Sequence, residues 1–359
     1  MGLLDRFRIK KERQEEEARE WLVKSLDFYK NNSLDIALLC LKKSLDIKPS
    51  IEAFTLTGNI LNTLKKYEEA IEVFDIAIET DSQQADFWYG KCHALYQLGK
   101  FEEATNCLNN AIQINPQNSS LWSLKGIILN DLGNHQDACE CFEKAIRITP
   151  TDEFFCCLKG EALDSMLKYE EAIAAYDRSL KINPLYIRAW NMKGIVLSKS
   201  RRFDDAIKCF QNAIEINPSN PETWSYLGLT REIMDQNNEA MRAWDKVIEL
   251  NPKHEVAWAH KGSIFAFLGK YDEAIDCFEK AQNKDARSWN NNAYAHVHKG
   301  NFGDALHCIN KAIDLDPMGA KNWHDKGLIL GLLDRNEDSK SAFARAEELG
   351  YTKIAKQLT

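Results

Sequence analysis

Proline is scarce in this sequence, with 8 in 359 residues, and no uninterrupted apolar run approaches the length that spans a membrane. An excess of basic charge is also missing: the net charge is −8 at pH 7, whereas phosphate binding needs a concentrated basic face. The first residues show no apolar segment followed by a small-residue cleavage site, so we expect no secretory signal. These absences favour a cytoplasmic protein with no integral membrane segment and no nucleic-acid partner.

The motifs of common catalytic and nucleotide-binding sites are missing as well. Glycines do not fall in the G-x-G-x-x-G or G-x-x-x-x-G-K-[ST] spacing that cradles phosphates, and neither H-E-x-x-H nor G-x-S-x-G occurs. His296 and His298 are two residues apart on a predicted helix, so they point to different faces and are poorly placed to share a metal. We therefore expect a protein that is not an enzyme and that needs no cofactor.

What the sequence does contain is a 34-residue repeat that accounts for nearly the whole chain. In the segment from Ile187 to Asn220, Trp, Gly and Leu occupy positions 4, 8 and 11, and Ala, Phe, Ala and Pro occupy positions 20, 24, 27 and 32. A charged segment, 1–17, precedes the repeats and a short tail, 354–359, follows them. We place ten units at 18–50, 51–84, 85–118, 119–152, 153–186, 187–220, 221–254, 255–285, 286–319 and 320–353.

This order of large, small and helix-stopping residues resembles the tetratricopeptide repeat, a helix–turn–helix unit. The resemblance implies an all-α fold, a right-handed superhelical α-solenoid of about ten such units, in which the first helix of each unit lines a concave groove. Positions 1–14 are predicted to form this helix A. A turn at positions 15–16 follows, with glycines suited to a left-handed residue, and then helix B begins. Proline at position 32 stops helix B before the next unit.

The ten cysteines are interpreted as packing residues, so we expect no metal site. Zinc sites need repeated close pairs such as C-x-x-C, and none is present. At position 23 other units carry Ala or Val, which indicates a small, half-buried site where a thiol behaves as a small hydrophobe. Six cysteines share this position: Cys40, Cys107, Cys141, Cys209, Cys277 and Cys308.

Proteins of this family bind peptides or protein segments in the groove, so the resemblance implies a peptide or protein partner here. Frame positions 2, 5, 9, 12 and 13 are expected to face the groove. They hold aromatic, Arg and Asn side chains, which suit peptide recognition because they combine apolar area with hydrogen bonds. Units 85–118 and 286–319 should each contribute, and Ser198 should also face the groove. The candidates are Tyr89, His93, Tyr96, Asn130, Asp131, Arg188, Asn191, Arg287, Asn290 and Tyr294.

The leading hypothesis is therefore a non-enzymatic scaffold that binds a partner segment, whose identity the sequence leaves open. The alternative is a regulatory or targeting subunit of an enzyme complex, held near a membrane by residues 1–11, where Leu3, Leu4 and Phe7 could line one side of a short helix. The interpretation we favour for segment 1–17 is a frayed, charged extension that caps the first unit. Position 5 is never Lys, so the carboxylate clamp of chaperone-binding relatives is not recognised.

Two units depart from the frame. The unit 255–285 lacks the final proline and is three residues short, so we expect a shortened helix B or loop there and a kink near Asn283–Asp285. In the last unit Ser339 and Lys340 replace the alanine and apolar residue of positions 20 and 21. We interpret both replacements as the solvated outer face that a terminal repeat requires.

Overall fold

The computed structural model describes residues 3–281 and 285–351, with side chains from residue 10 onwards. Over those ranges the chain is all-α and contains no strand. The chain divides into two compact bodies, an N-terminal body, Met1–Tyr186, and a C-terminal body, Ile187–Thr359. The helices are α1 (Leu3–Lys30), α2 (Leu34–Ile47), α3 (Ile51–Thr63), α4 (Tyr67–Thr80), α5 (Ala85–Gln97), α6 (Phe101–Ile114), α7 (Ser119–Asp131), α8 (His135–Ile148), α9 (Glu153–Ser165), α10 (Tyr169–Ile182), α11 (Ile187–Lys199), α12 (Phe203–Ile216), α13 (Pro221–Ile233), α14 (Asn237–Leu250), α15 (Glu255–Phe267), α16 (Tyr271–Lys280), α17 (Ala286–His298), α18 (Phe302–Leu315), α19 (Ala320–Leu332) and α20 (Asn336–Glu348).

Odd-numbered helices are helices A and even-numbered helices are helices B, so the chain is the α-solenoid that the repeat predicts. Two positions of helix B make the core. Every alanine at position 20, from Ala37 to Ala305, has no exposed surface. The large residue at position 24, such as Phe142 or Phe210, is exposed by 1% or less from the first unit to the ninth. Small residues at position 20 let helix B approach helix A, and the large residue fills the space beside them.

The turn between helices A and B confirms the left-handed residue predicted at position 15. Gly99, Gly133, Gly269 and Gly300 have φ values of 73° to 80°. In the other six units a residue with a side chain adopts the same conformation, which is sterically unfavourable for L-amino acids. These residues, with φ of 56° to 60°, are Asn32, Lys65, Leu167, Arg201, Asp235 and Asp334.

Hydrogen bonds to helix A join consecutive units. Helix A begins after a polar N-cap in several units; the Asp152 carboxylate, for example, accepts from the backbone N–H of Phe154 at 2.9 Å. The indole N–H of Trp122 donates to the carbonyl of Pro116, six residues earlier, at 2.9 Å. The same bond recurs at Trp88, Trp224, Trp258 and Trp323. Position 4 of one unit is thereby tied to position 32 of the unit before it.

The first helix corrects one expectation. Helix α1 runs without interruption from Leu3 to Lys30, over 28 residues, so residues 3–17 belong to the helix A of the first unit instead of forming a frayed extension. Glu15 in this stretch accepts a hydrogen bond from the Lys48 ammonium at 2.5 Å. That bond and the adjacent charge of Lys48 lower the pKa of the Glu15 carboxyl.

The expectations for the two units that depart from the repeat, 255–285 and 320–353, fare differently. Helix α16 has 10 residues where most helices B have 14, so the shortening lies within helix B itself; the kink expected near Asn283–Asp285 falls outside the described residues. The interpretation of Ser339 was wrong. It is buried, and its hydroxyl donates to the carbonyl of Gly327 at 2.7 Å. The hydroxyl is satisfied by the adjacent helix A, so serine replaces alanine without facing water. Lys340 is exposed as expected.

Candidate functional site

The candidate site is the surface formed by positions 2, 5, 9, 12 and 13 of helices A, here called the helix-A surface. In the N-terminal body three candidates lie on α5. Tyr89, His93 and Tyr96 are all half-buried, and the two tyrosines pack against the core around Leu95 and Leu108. Burial raises the pKa of Tyr89 and lowers the pKa of His93. These rings therefore serve the core as well as the surface.

Tyr96 is also bonded to the next unit. Its hydroxyl donates to the Asp131 carboxylate at 2.5 Å. Burial first, and this hydrogen bond second, raise the pKa of Tyr96 to about 12. Asn130, the neighbour of Asp131, pairs through its Oδ1 with Nδ1 of His135 at 2.8 Å. The exposed part of this group is the Asp131 side chain.

In the C-terminal body the structure separates buried candidates from exposed ones. Arg188, Arg287 and Tyr294 are exposed. Asn191 and Asn290 are buried and do not present their amides to solvent.

The two buried asparagines connect consecutive helices A. The Asn191 amide donates to the hydroxyl of Thr223 at 3.0 Å. The Asn290 amide donates to Asn322 Oδ1 at 3.1 Å and to Asp325 Oδ2 at 2.9 Å. Position 5 therefore lies at the contact between neighbouring helices A, and these two side chains stabilise the solenoid.

Ser198 has a similar role. Its hydroxyl lies 3.0 Å from the hydroxyl of Thr230 on the next helix A, and the residue is half-buried. It therefore takes part in an inter-unit contact, where the sequence predicted a side chain facing the groove.

Around Tyr294 an aromatic cluster forms that the sequence did not predict. The ring of His298 stacks on Tyr271 with centroids 4.5 Å apart and an interplanar angle of 3°. The rings of Tyr294 and His298 lie at 65° to each other, with centroids 4.4 Å apart. Tyr271 begins a helix B and the other two lie on the following helix A, so the cluster spans the boundary between two units. The neighbouring Phe267 is 74% exposed.

Sequence reasoning also missed a set of exposed apolar residues. Six of the eight residues at positions 9 and 13 of the last four helices A are large apolar or aromatic side chains that reach solvent, the other two being Ser263 and His298: Leu229, Ile233, Phe267, Tyr294, Leu328 and Leu332. Only Tyr294 was among the candidates, because every candidate has a hydrogen-bonding group and the other five residues have none. The signal that could have found the rest is the unusual choice of apolar residues at positions already predicted to be exposed.

The ten cysteines are buried throughout the part of the chain that the structure describes. Those at position 23 are exposed by 4–6%. Burial raises the pKa of the Cys107, Cys141 and Cys277 thiols, and that of Cys92 to about 12. A buried, protonated thiol is a poor nucleophile and a poor ligand. Among residues 3–281 and 285–351 no three His, Cys, Asp or Glu side chains are grouped to hold a metal ion.

None of the helices within the described residues is long and apolar enough to cross a bilayer. The proposed peripheral contact depends on Leu3, Leu4 and Phe7, which lie outside the described side chains.

Comparison with protein families and solved structures gives one consistent result. Family models described as tetratricopeptide repeat match residues 62–128, 119–152, 155–184, 187–220, 209–242, 256–283 and 286–317, which together cover more than half of the chain. A protein prenyltransferase alpha subunit repeat matches residues 237–268. That segment is the helix pair α14 and α15, so the match describes a helical repeat and assigns no chemistry. A comparison with curated proteins found no match.

Several solved structures are similar. A tetratricopeptide repeat protein from Parabacteroides merdae is 17% identical, with 70% of this chain and 98% of that one covered and a TM-score of 0.52. PilF of Pseudomonas aeruginosa is 18% identical, with 57% and 94% covered and a TM-score of 0.50. YrrB, described as a tetratricopeptide repeat protein with an unusual peptide-binding site, is 26% identical over 52% of this chain and 98% of that one, with a TM-score of 0.44. The first two likenesses show the fold.

Proposed function

Because the chain belongs to the tetratricopeptide repeat family, we propose that it is a non-enzymatic protein-interaction scaffold whose helix-A surface binds a peptide or protein segment. The observation that carries the proposal is the exposure to solvent of two side chains on the helix-A surface. Arg287 and Tyr294 present a cation and an aromatic ring at positions 2 and 9 of the same helix A. Aromatic and Arg side chains are the residue types that contribute most binding energy at protein interfaces.

The N-terminal body contributes less open surface to this proposal. Tyr89 and Tyr96 are half-buried and Asn130 is paired with His135, so a partner there would meet Asp131 and the exposed edges of the tyrosine rings. A partner contact in the C-terminal body would meet Arg188, Arg287 and Tyr294. We therefore expect the larger share of binding energy to come from the C-terminal body.

The test begins with recovery of the partner by affinity purification from the native cell. The purified partner is then titrated against the parent chain and against Tyr294→Ala and Arg287→Ala. Each substitution should weaken binding by about tenfold or more, because loss of an interface anchor commonly costs 1–2 kcal/mol or more. Circular dichroism should show unchanged helix content, since both side chains are exposed.

Leu315→Ala is the matched control. Leu315 is 58% exposed and ends α18, the helix B of the same unit. It removes comparable apolar surface outside the helix-A surface, so it should leave the affinity unchanged. Equal affinities for the parent, Tyr294→Ala and Arg287→Ala would place the partner elsewhere on the chain.

A further inference from the structure

An exposed apolar surface runs across four consecutive helices A of the C-terminal body. It consists of Leu229 and Ile233 on α13, Phe267 on α15, Tyr294 on α17, and Leu328 and Leu332 on α19. We call these six residues the apolar stripe. Each is at least 38% exposed, and Phe267 is 74% exposed. Single exposed apolar residues are ordinary on protein surfaces, but a contiguous group of large ones marks an interaction site.

The register of the helices aligns these side chains. Positions 9 and 13 are one helical turn apart and share a face. Hydrogen bonds between consecutive helices A hold the four helices side by side: Glu232 with His260 at 3.1 Å, Asn291 with Ser263 at 3.0 Å, and Asn290 with Asn322 at 3.1 Å. The same positions in neighbouring helices therefore form one row.

The fold does not require apolar residues at these positions. In the N-terminal body positions 9 and 13 carry mainly polar or charged side chains, among them Asn59, Thr63, His93, Gln97, Asp131, Glu161 and Ser165. Those units build the same helix pairs with the same buried core. The stripe is thus an added property of the C-terminal body, and packing within the solenoid does not explain it.

Positive charge lies along one edge of the stripe at α17 and α19, whereas position 2 is the exposed Glu222 in α13 and Val256 in α15. Arg287 and Lys321 occupy position 2 of α17 and α19 and are exposed. Neither has an ion-pair partner among the residues that the structure describes. Both stand in the first turn of a helix, where the helix dipole adds partial positive charge. A partner on the stripe would therefore gain from carboxylates on the flank that faces this edge.

We propose, on the basis of the scaffold function above, that the apolar stripe binds an amphipathic α-helix of a partner protein. The partner helix carries apolar anchors at heptad spacing and acidic residues on the flank that meets α17 and α19. Packed helices lie about 8–10 Å apart, and seven residues of an α-helix rise about 10.5 Å. Anchors seven residues apart would therefore meet successive helices A. Three such intervals, from α13 to α19, require a helix of about 20 residues.

An extended partner fits this spacing less well. Three residues of a strand span about 10 Å, but side chains alternate between faces, so every second anchor would point away from the stripe. The stripe also presents two residues one turn apart on α13 and again on α19. Anchors at i, i+3 and i+4 of a helix match such pairs, as in other complexes where a helix lies in an apolar groove.

The experiment uses the full chain and three synthetic peptides of about three heptads. The first has leucines at heptad spacing and glutamates on one flank; the second replaces each glutamate by lysine; the third is the first with two central prolines, which prevent a helix. The parent should bind the first peptide at least about tenfold more tightly than the other two. The helix content of the first peptide should rise on binding.

Variants locate the site and test the charge. Phe267→Ser and Leu332→Ser should each weaken the first peptide by about tenfold or more, whereas Leu315→Ser on helix B should not. The double variant Arg287→Glu and Lys321→Glu should reverse the preference between the glutamate and lysine peptides. Sedimentation of the parent alone measures whether the stripe is covered by a second copy of the chain.

The outcomes separate this proposal from the scaffold function. Equal binding of the proline peptide would overturn the helical partner while leaving the helix-A surface as a site for extended segments. No binding of the first peptide, or binding that Phe267→Ser and Leu332→Ser do not weaken, would overturn the stripe as its site. Self-association lost in Phe267→Ser would show that a second copy is the occupant. The scaffold function itself is decided by the partner recovered from cells.

Discussion

Gly194 lies against the ring of Phe210, and a Cβ atom at residue 194 would come within 2.5 Å of Cε1 of that ring. The pair joins position 8 of helix A to position 24 of helix B, and the chain varies the two positions together. Where position 8 is glycine, position 24 is aromatic; where position 8 has a side chain, position 24 is aliphatic. The aliphatic pairs are Ser25 with Leu41, Cys92 with Leu108, and Ala293 with Ile309.

This relationship predicts compensation between the two positions. Gly194→Ala alone should lower the free energy of unfolding by about 1–3 kcal/mol, because the added methyl overlaps a fixed ring. Phe210→Leu alone should also destabilise, since it leaves space beside the glycine. The double variant recreates the Ala293–Ile309 type of pair and should lose less than the sum of the two single losses. Denaturant unfolding of all three variants measures this coupling.

Gly303→Ala provides the control for the glycine effect. Gly303 lies in helix B of the same body, and a Cβ atom there would meet nothing within 4 Å. Alanine should therefore be neutral or stabilise by up to about 1 kcal/mol through helix propensity. Strictly additive losses for Gly194→Ala and Phe210→Leu would contradict the packing relationship.

Leu167 should be replaceable with a gain in stability. It adopts a φ of 60° at the turn of its unit and is 69% exposed. Four other units place glycine at this position, and glycine avoids the steric penalty of about 1–2 kcal/mol that L-residues pay in this conformation. Leu167→Gly should therefore raise the free energy of unfolding by about 0.5–1 kcal/mol, less than the full penalty because glycine gains entropy in the unfolded chain.

Leu167→Ala separates backbone conformation from loss of the exposed leucine side chain. Alanine keeps the Cβ atom and so keeps the strain. Thermal unfolding of the parent, Leu167→Gly and Leu167→Ala should give the highest melting temperature for Leu167→Gly. The melting temperature of Leu167→Ala should be close to that of the parent. A gain in the alanine variant equal to that of glycine would assign the effect to the side chain.

Stability should fall as the pH drops below about 6.5, the ordinary pKa range of histidine. Burial lowers the pKa of His93, and burial also lowers the pKa of His296, against the opposing charges of Asp304 and Glu279. The unfolded chain then binds more protons than the folded chain between the lowered pKa and the ordinary one. The contribution of these two neutral imidazoles to the free energy of unfolding is therefore complete above the pKa of histidine in the unfolded chain. It is lost as the pH falls through the lowered pKa of the folded chain.

His93→Asn and His296→Asn should each flatten this part of the pH dependence. Asparagine stays neutral, so it removes one proton-linked contribution while keeping a polar side chain. Denaturant midpoints measured from pH 7.5 to pH 5 give the slope. An unchanged slope in both variants would show that these two imidazoles do not control stability in this range.

The sequence predicted the helix pairs and the glycine turns because each follows from residue types that recur at fixed positions of the repeat. The sequence could not show whether a side chain at position 5 is exposed to solvent or buried against the next helix A. That position faces both the open surface and the next helix A, so Asn191 and Asn290 became buried bridges while Tyr294, one turn further on, stayed exposed. Ser339 was misjudged for a related reason: a hydroxyl can replace an alanine in the core when a helix carbonyl such as that of Gly327 accepts its proton.

The indole bonds between consecutive units give the chain a local reporter of unfolding. In a solenoid each unit depends on its immediate neighbours, so opening can start at one place and spread. The Trp122 indole N–H, bonded to Pro116, would lose its partner when the junction before it opens. Indole N–H resonances are few and well resolved, so a magnetic resonance experiment could follow separate junctions along one molecule and show the order in which they come apart.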